Sequence, residues 1–311
     1  MPRFLKQSLL FLNLTLLLYL ASLSALAVFI PRHYAANFNI KYNLGGYGFM
    51  FSRLQDARQV ENIDVLFIGS SVAYRSFDPA VFSEKGISTF NLGSDMQTPR
   101  QTHFLLNRYL EQMNPGLVVW AVTPVTLEVE GLESSLDIIA NDFIDTSALE
   151  LVSQTPDILG FNTIIYALIR EVTGRNKTFN PLPTRGTDTY VAGTGFLKRD
   201  DVYMAAFPEI QEREYNVLPE QLDIFIKTIE FLKSRNTDIL LVQIPIYPKK
   251  YNAFTNNAQI DSIFSAHAHY INFNEMEQFQ NPALFYDYMH MNSEGAKSFS
   301  RQLSELILNK Q

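Results

Sequence analysis

The sequence predicts an α/β protein, a three-layer doubly wound sheet of about five parallel strands, and three observations predict it. The runs VLFI (65–68) and LVVWAV (117–122) are apolar throughout, and DILLVQI (238–244) is apolar but for Asp238 and Gln243, as in strands covered on both faces. Segments between them carry apolar residues at helical spacing. The two kinds alternate along the chain, the order that builds a parallel sheet with helices on either side.

The first element lies outside that rhythm. From Gln7 to Pro31 there is no charged residue, and positions 9–30 read LLFLNLTLLLYLASLSALAVFI. Roughly 20 apolar residues cross a bilayer core as a helix. Arg3 and Lys6 precede the run while Arg32 and Lys41 follow it, a bias that favours the N-terminus inside and the remainder outside. The segment 1–34 is therefore expected to be an uncleaved single-pass anchor with the rest extracytoplasmic. The alternative is a signal peptide cut after Ala25-Leu26-Ala27, leaving a secreted protein, but Val28-Phe29-Ile30 prolongs the apolar run past that point.

Residues 35–62 read as a connecting arm, punctuated by Gly45-Gly46 and carrying an amphipathic helix at 49–60. The domain proper is expected over 63–311. Its first strand, 65–68, ends in Gly69-Ser70-Ser71, where a helix begins. A short strand follows at 87–91, then a helix at 100–113 closed by Asn114-Pro115-Gly116, and the third strand at 117–122. Helix 219–233, strand 238–244 stopped by Pro245, helix 260–268, strand 270–273 and helix 293–309 complete the pattern. Between 124 and 215 the rhythm lapses into a mostly helical insertion, with helices at 132–144 and 162–172 and a Thr-, Gly-, Asn- and Pro-rich stretch at 175–198. It is expected over the carboxyl edge of the sheet, where ligands of such sheets bind.

Composition narrows the chemistry. Among 311 residues, 47% are hydrophobic and 18% charged, with 25 Lys and Arg against 32 Asp and Glu. The net charge of −7 and the lack of any basic cluster argue against a nucleic-acid partner. The absence of cysteine excludes thiol catalysis, Cys-ligated zinc and disulfides. His267-Ala268-His269 is no metal pair on a helix, since residues two apart point in different directions, and no carboxylate cluster completes a site. No cofactor is implied.

A serine hydroxyl becomes a nucleophile when a neighbouring base takes its proton. The histidine best placed is His290, in FYDYMHMNSEG, with Asp287 three residues before it. On a tight loop that spacing lets the carboxylate hold Nδ1 and frees Nε2 to face another group. The pair lies between the last strand and the last helix, and so leaves the same sheet edge as Ser71. Capping of the following helix is the plainer role for Ser70 and Ser71.

These blocks resemble the SGNH, or GDSL-type, hydrolases, which are flavodoxin-like three-layer proteins. Gly69-Ser70-Ser71 stands where that family has Gly-Asp-Ser, Gly93 of FNLGSDMQTP where it has its oxyanion glycine, and Asp287 with His290 where it has Asp-x-x-His. The wording GSSVAYRSFDP with NLGSDMQTP looks most like a membrane-tethered bacterial branch that includes D-alanyl transfer and alginate O-acetylation proteins. The resemblance implies Ser71 as nucleophile, His290 as base, Asp287 as its orienter, and the amides of Ser71 and Gly93 as oxyanion donors. It implies an esterase or O-acyltransferase acting on acylated envelope or extracellular polysaccharide, with a membrane-bound acyltransferase as a possible partner. Arg75, Asp95 and Gln97 are candidate pocket residues, though an ion pair with Asp78 or Asp95 is the plainer expectation for Arg75. The family's third block, with an Asn that donates to the oxyanion, is missing: the third strand runs into WAVTPVTLE. One such donor is typically worth roughly 3 kcal/mol of transition-state stabilisation, so Thr123 or Gln97 is expected in its place, or catalysis is weak.

Three other readings stand beside this one. A Gly-x-Ser-x-Gly-like elbow is visible in Gly69–Ala73, but that fold puts its serine after several strands. A catalytically weak or inactive module of the same fold, binding glycan or a protein partner, would also account for the missing Asn, whereas a plain soluble binding protein leaves the N-terminal run unexplained.

Overall fold

In the computed structural model every residue of strand β1 (Val65–Gly69) is buried. The sheet order explains it: β2-β1-β3-β7-β8, with β2 Thr89–Asn91, β3 Leu117–Ala121, β7 Asp238–Gln243 and β8 His269–Asn272. All four pairings are parallel, and Gly69 sits beside Ala121 at the carboxyl edge. The structure describes residues 3–29, 40, 44–45, 47–199 and 209–309. The flanking cations Arg32 and Lys41, Gly46 and most of the expected arm before residue 47 lie outside them.

The chain forms two compact units: Met1–Gly46 with Ser135–Asn180, and Tyr47–Ser134 with Pro181–Gln311. The second holds the sheet. Because side chains of successive strand residues point to opposite faces, β1, β3 and β7 feed two cores. Val65, Phe67, Val119, Ala121, Leu240 and Val242 belong to the core that also contains Phe77, Phe82 and Phe299. On this face lie α3 (Ser71–Ser76), α4 (Pro79–Ser83) and α12 (Ser293–Leu308). The rings of Phe67 and Phe77 stack at 4.0 Å between centroids, and Phe77 meets Phe299 at 5.6 Å. On the other face α5 (Pro99–Met113) packs against α9 (Pro219–Ser234), and Trp120 of β3 meets Phe225 of α9 at 4.9 Å. The Ser300 hydroxyl fastens α12 to α3, donating to the Ser76 carbonyl at 3.0 Å and accepting from the Asp78 amide at 2.8 Å.

Helix α2 (Met50–Ala57) precedes the sheet, and α10 (Pro248–Asn252) and α11 (Asn257–Ser265) connect β7 to β8. The Thr-, Gly-, Asn- and Pro-rich stretch at 175–198, in an insertion expected to be mostly helical, forms with Arg199 an antiparallel sheet of β4 (Thr184–Arg185), β5 (Asp188–Val191) and β6 (Phe196–Arg199). Strands this short show no period in the sequence.

The first unit contains α1 (Arg3–Phe29), α7 (Thr146–Ser153) and α8 (Ile158–Val172), while α6 (Leu132–Asn141) straddles the division. Among the described residues α1 is the one helix long and apolar enough to cross a membrane; only 6% of its most apolar window is buried, so it is not a core helix. Its C-terminal part packs on α8. Tyr19 donates a hydrogen bond to Asn162, and Leu23 and Leu26 cluster with Ile165, Tyr166 and Ile169.

Candidate active site

The turn after β1 demands its glycine. Gly69 has φ +145°, and a Cβ there would lie 2.6 Å from the Ala121 carbonyl oxygen. L-residues disfavour that φ, and the neighbouring strand leaves no room. The chain can thus leave the sheet sharply: Ser70 is the N-cap of α3 and Ser71 its first residue. Ser70 is buried, its hydroxyl 3.1 Å from that of Thr123 at the end of β3. Ser71 points the other way, its Oγ 2.8 Å from His290 Nε2.

His290 is held by a tight loop. Phe285 and Met291 form an antiparallel bridge, and the Tyr286 amide donates to the His290 carbonyl at 3.1 Å. Asn292 then caps α12 through the Gly295 amide at 3.0 Å, and the Tyr288 carbonyl accepts from Tyr247 N at 3.0 Å. Inside the loop Asp287 Oδ1 accepts the amides of Met289 and His290 at 2.7 and 2.8 Å, while Oδ2 lies 2.8 Å from His290 Nδ1. Burial pushes the Asp287 carboxyl up, but the His290 hydrogen bond and charge, with the two amides, outweigh it and hold the group below the usual carboxylate range. The arrangement is one continuous relay from Oγ through imidazole to carboxylate.

The relay opens on a cavity of about 390 Å³, the size of a small-ligand site. Val72, Val125, Ile244, Ile246, Phe254 and Met289 give it apolar walls; Asp95, Thr123, Gln243, Arg213 and Lys250 supply its polar positions. Burial raises the Asp95 carboxyl, and the charges of His290 and Arg75 and a Tyr74 hydrogen bond offset this only in part.

Not every candidate sits where the sequence suggested. The Gly93 amide, expected to face an oxyanion, donates to Asn91 Oδ1 at 2.9 Å. A Cβ at Gly93 would lie 2.9 Å from the Gly69 carbonyl oxygen, so tight packing alone accounts for this glycine. Gln97 is buried away from the cavity, accepting from the Ser94 hydroxyl at 2.9 Å and donating to Thr102 at 3.0 Å. Of the two suggested substitutes for the missing Asn, Thr123 lines the cavity and Gln97 does not. Arg75 binds neither Asp78 nor Asp95. It donates both terminal nitrogens to Asp188 at 2.9 Å, and Asp78 instead caps α4 through the Ala80 amide at 3.0 Å.

Sequence reasoning missed a layer behind the imidazole. The Tyr286 ring stacks on His290 at 5.5 Å and 8°, and the Arg199 guanidinium covers Tyr286 at 4.0 Å. Tyr286 adjoins Asp287 in the sequence and was in principle visible. Asp188 and Arg199 come from the short antiparallel sheet and left no signal.

No family model matches the sequence, and no curated protein sequence matches it. Solved structures are similar to it at low identity, with TM-scores below 0.5. A GDSL-like lipase from Bacteroides thetaiotaomicron is 12% identical with a TM-score of 0.41, covering 83% of this chain and 99% of its own. The psychrotrophic esterase EstA from Pseudoalteromonas sp. is 12% identical at a TM-score of 0.41, covering 80% of this chain and 98% of its own. A catalytic mutant of an acetylxylan esterase from Geobacillus stearothermophilus is 14% identical at a TM-score of 0.39, covering 80% of this chain and 94% of its own.

Proposed function

We propose that this protein is an SGNH-like serine esterase or O-acyltransferase of the cell envelope, tethered by α1 with its sheet unit outside the membrane. The observation that carries the reading is the Ser71–His290–Asp287 relay at the mouth of an apolar cavity. His290 Nε2 takes the Ser71 proton as Oγ attacks an ester carbonyl, and Asp287 holds the imidazole and offsets its charge. The oxyanion is met by the Ser71 amide, first in α3 and so without a partner inside the helix, and Thr123, which lines the same cavity, is the candidate for a second donor. Collapse expels the alcohol, which recovers the proton from Nε2. Water or a sugar hydroxyl then attacks the acyl-serine, giving hydrolysis or transfer.

Two features support the envelope setting. The cavity suits a short acyl group, and α1 would hold the enzyme near acylated surface polysaccharide. Packing of Tyr19, Leu23 and Leu26 on α8 favours an uncleaved anchor, because cleavage after Ala27 would strip α8 of that partner.

One observation favours a second reading, a binding module of the same fold: the Gly93 N–H, one of the two backbone donors the resemblance implies, is bonded to Asn91. An organophosphonate and p-nitrophenyl acetate separate the two. The enzyme reading expects one phosphonyl group on Ser71 and hydrolysis that falls by roughly 10⁴-fold or more in Ser71→Ala. A folded wild-type protein that neither labels nor hydrolyses short esters is a binding module.

A further inference from the structure

Helix α8 has an outer surface that water does not explain. From Ile158 to Ile169 its unburied residues are Ile158, Leu159, Phe161, Ile165, Leu168 and Ile169, with the half-exposed Asp157 cap at its start. No side chain among those six is polar. Ile158, Phe161 and Leu168 are 55%, 44% and 44% exposed, and with Ile165 they recur at spacings of three and four, forming one stripe. A helix lying against water places charged and polar residues on its outer face. This one places its polar residues inward, with Asn162, Thr163 and Arg170 all buried.

What covers the stripe is indicated by α1. Tyr19 pairs with Asn162, and Leu23 and Leu26, further along α1, cluster with Ile165, Tyr166 and Ile169, further along α8. The two helices therefore run in the same direction, and these contacts with α8 lie between Tyr19 and Leu26 of α1. Just before it meets α8, α1 is exposed and apolar around most of its circumference, consecutive Leu16, Leu17 and Leu18 being 55%, 62% and 69% accessible. The α8 stripe extends an apolar surface that already belongs to a membrane-spanning helix. At 15 residues and about 1.5 Å per residue, α8 is too short to cross, which is the length of a re-entrant or interfacial segment.

We propose that the outer face of α8 lies in the hydrocarbon of the same membrane that α1 crosses, so that this unit docks on lipid through one spanning helix and one that enters a single leaflet. The proposal rests on the reading of α1 as an uncleaved anchor. The absence of native cysteine allows a direct test on the full-length protein in phosphatidylcholine–phosphatidylglycerol nanodiscs. Single variants Phe161→Cys, Leu168→Cys, Leu10→Cys and Glu150→Cys would carry an environment-sensitive nitrobenzoxadiazole label. Labels at 161 and 168 should emit to the blue of the label at exposed Glu150 and be quenched severalfold more by nitroxide-bearing lipid, as at position 10. Quenching at 10 with water-like, iodide-accessible labels at 161 and 168 overturns the proposal and leaves the anchor standing. No lipid quenching at 10 overturns the anchor reading and the proposal with it. Labels at 161 and 168 shielded from both quenchers mean that protein covers the stripe, which also overturns it. Photoactivatable lipid crosslinked to the unsubstituted protein reads the same contact if a variant misfolds: adducts within 158–169 are expected, and adducts on α1 alone refute it.

Discussion

Replacing Asp287 by Asn exchanges one oxygen for an amino group at nearly constant volume. In the wild type Oδ1 accepts the Met289 and His290 amides at 2.7 and 2.8 Å and lies 3.0 Å from His290 Nδ1, while Oδ2 makes the nearer contact to Nδ1 at 2.8 Å. In Asp287→Asn the remaining carbonyl oxygen stays with the two amides, so the amino group replaces the oxygen nearer to Nδ1. Two donors cannot share that contact. The imidazole must shift its proton to Nε2, which then donates to Ser71 and no longer accepts from it. Serine hydrolases disabled through the wrong tautomer lose roughly 10⁴-fold in kcat, equivalent to about 5 kcal/mol of barrier. The assay is steady-state hydrolysis of p-nitrophenyl acetate by detergent-solubilised protein, with the melting temperature as a check on folding. A folded Asp287→Asn protein that keeps more than a tenth of wild-type kcat refutes the assignment of Asp287.

Gly69→Ala forces a side chain onto φ +145° with the Ala121 carbonyl 2.6 Å from its Cβ, and should cost about 2–4 kcal/mol in urea unfolding. A loss below about 1 kcal/mol would show that the turn relaxes freely. Burial pushes the Asp188 carboxyl up, but the Arg75 hydrogen bonds and charge, with Arg199, outweigh it and hold the group low. Its contribution to stability is thus present above its unfolded value and lost as pH falls through its lower folded value. The melting temperature of the wild type should therefore drop more steeply below about pH 4 than that of Asp188→Asn, which starts lower near neutrality; parallel curves would contradict the role given to this ion pair.

Much of the fold was legible because strands buried on both sides leave unbroken apolar runs. All five strands of the parallel sheet were expected to within about two residues of where they lie, and strand order was not, since nothing local encodes which parallel neighbour a strand takes. The meeting of Ser71 with His290 followed from placing both at one sheet edge. Arg75 shows the limit. Its partner Asp188 lies 113 positions away on β5, in a stretch with no period to announce a strand, whereas the nearer Asp78 and Asp95 offered themselves by proximity in sequence. Gly93 shows another: a glycine kept for space and one kept for its amide look identical in one sequence, and only the Asn91 contact tells them apart.

Ser71 and His290 are separated by 219 positions, and the loop bearing the histidine is seated by α12, which the Ser300 hydroxyl ties back to α3. Synthesis proceeds from the N-terminus, so the alcohol emerges long before its base has been made. Contacts so distant along the chain also form late in folding. A nascent chain therefore carries Ser71 without its imidazole neighbour until residue 290 has been made, and a chain that stops short of α12 lacks the element that seats the histidine loop.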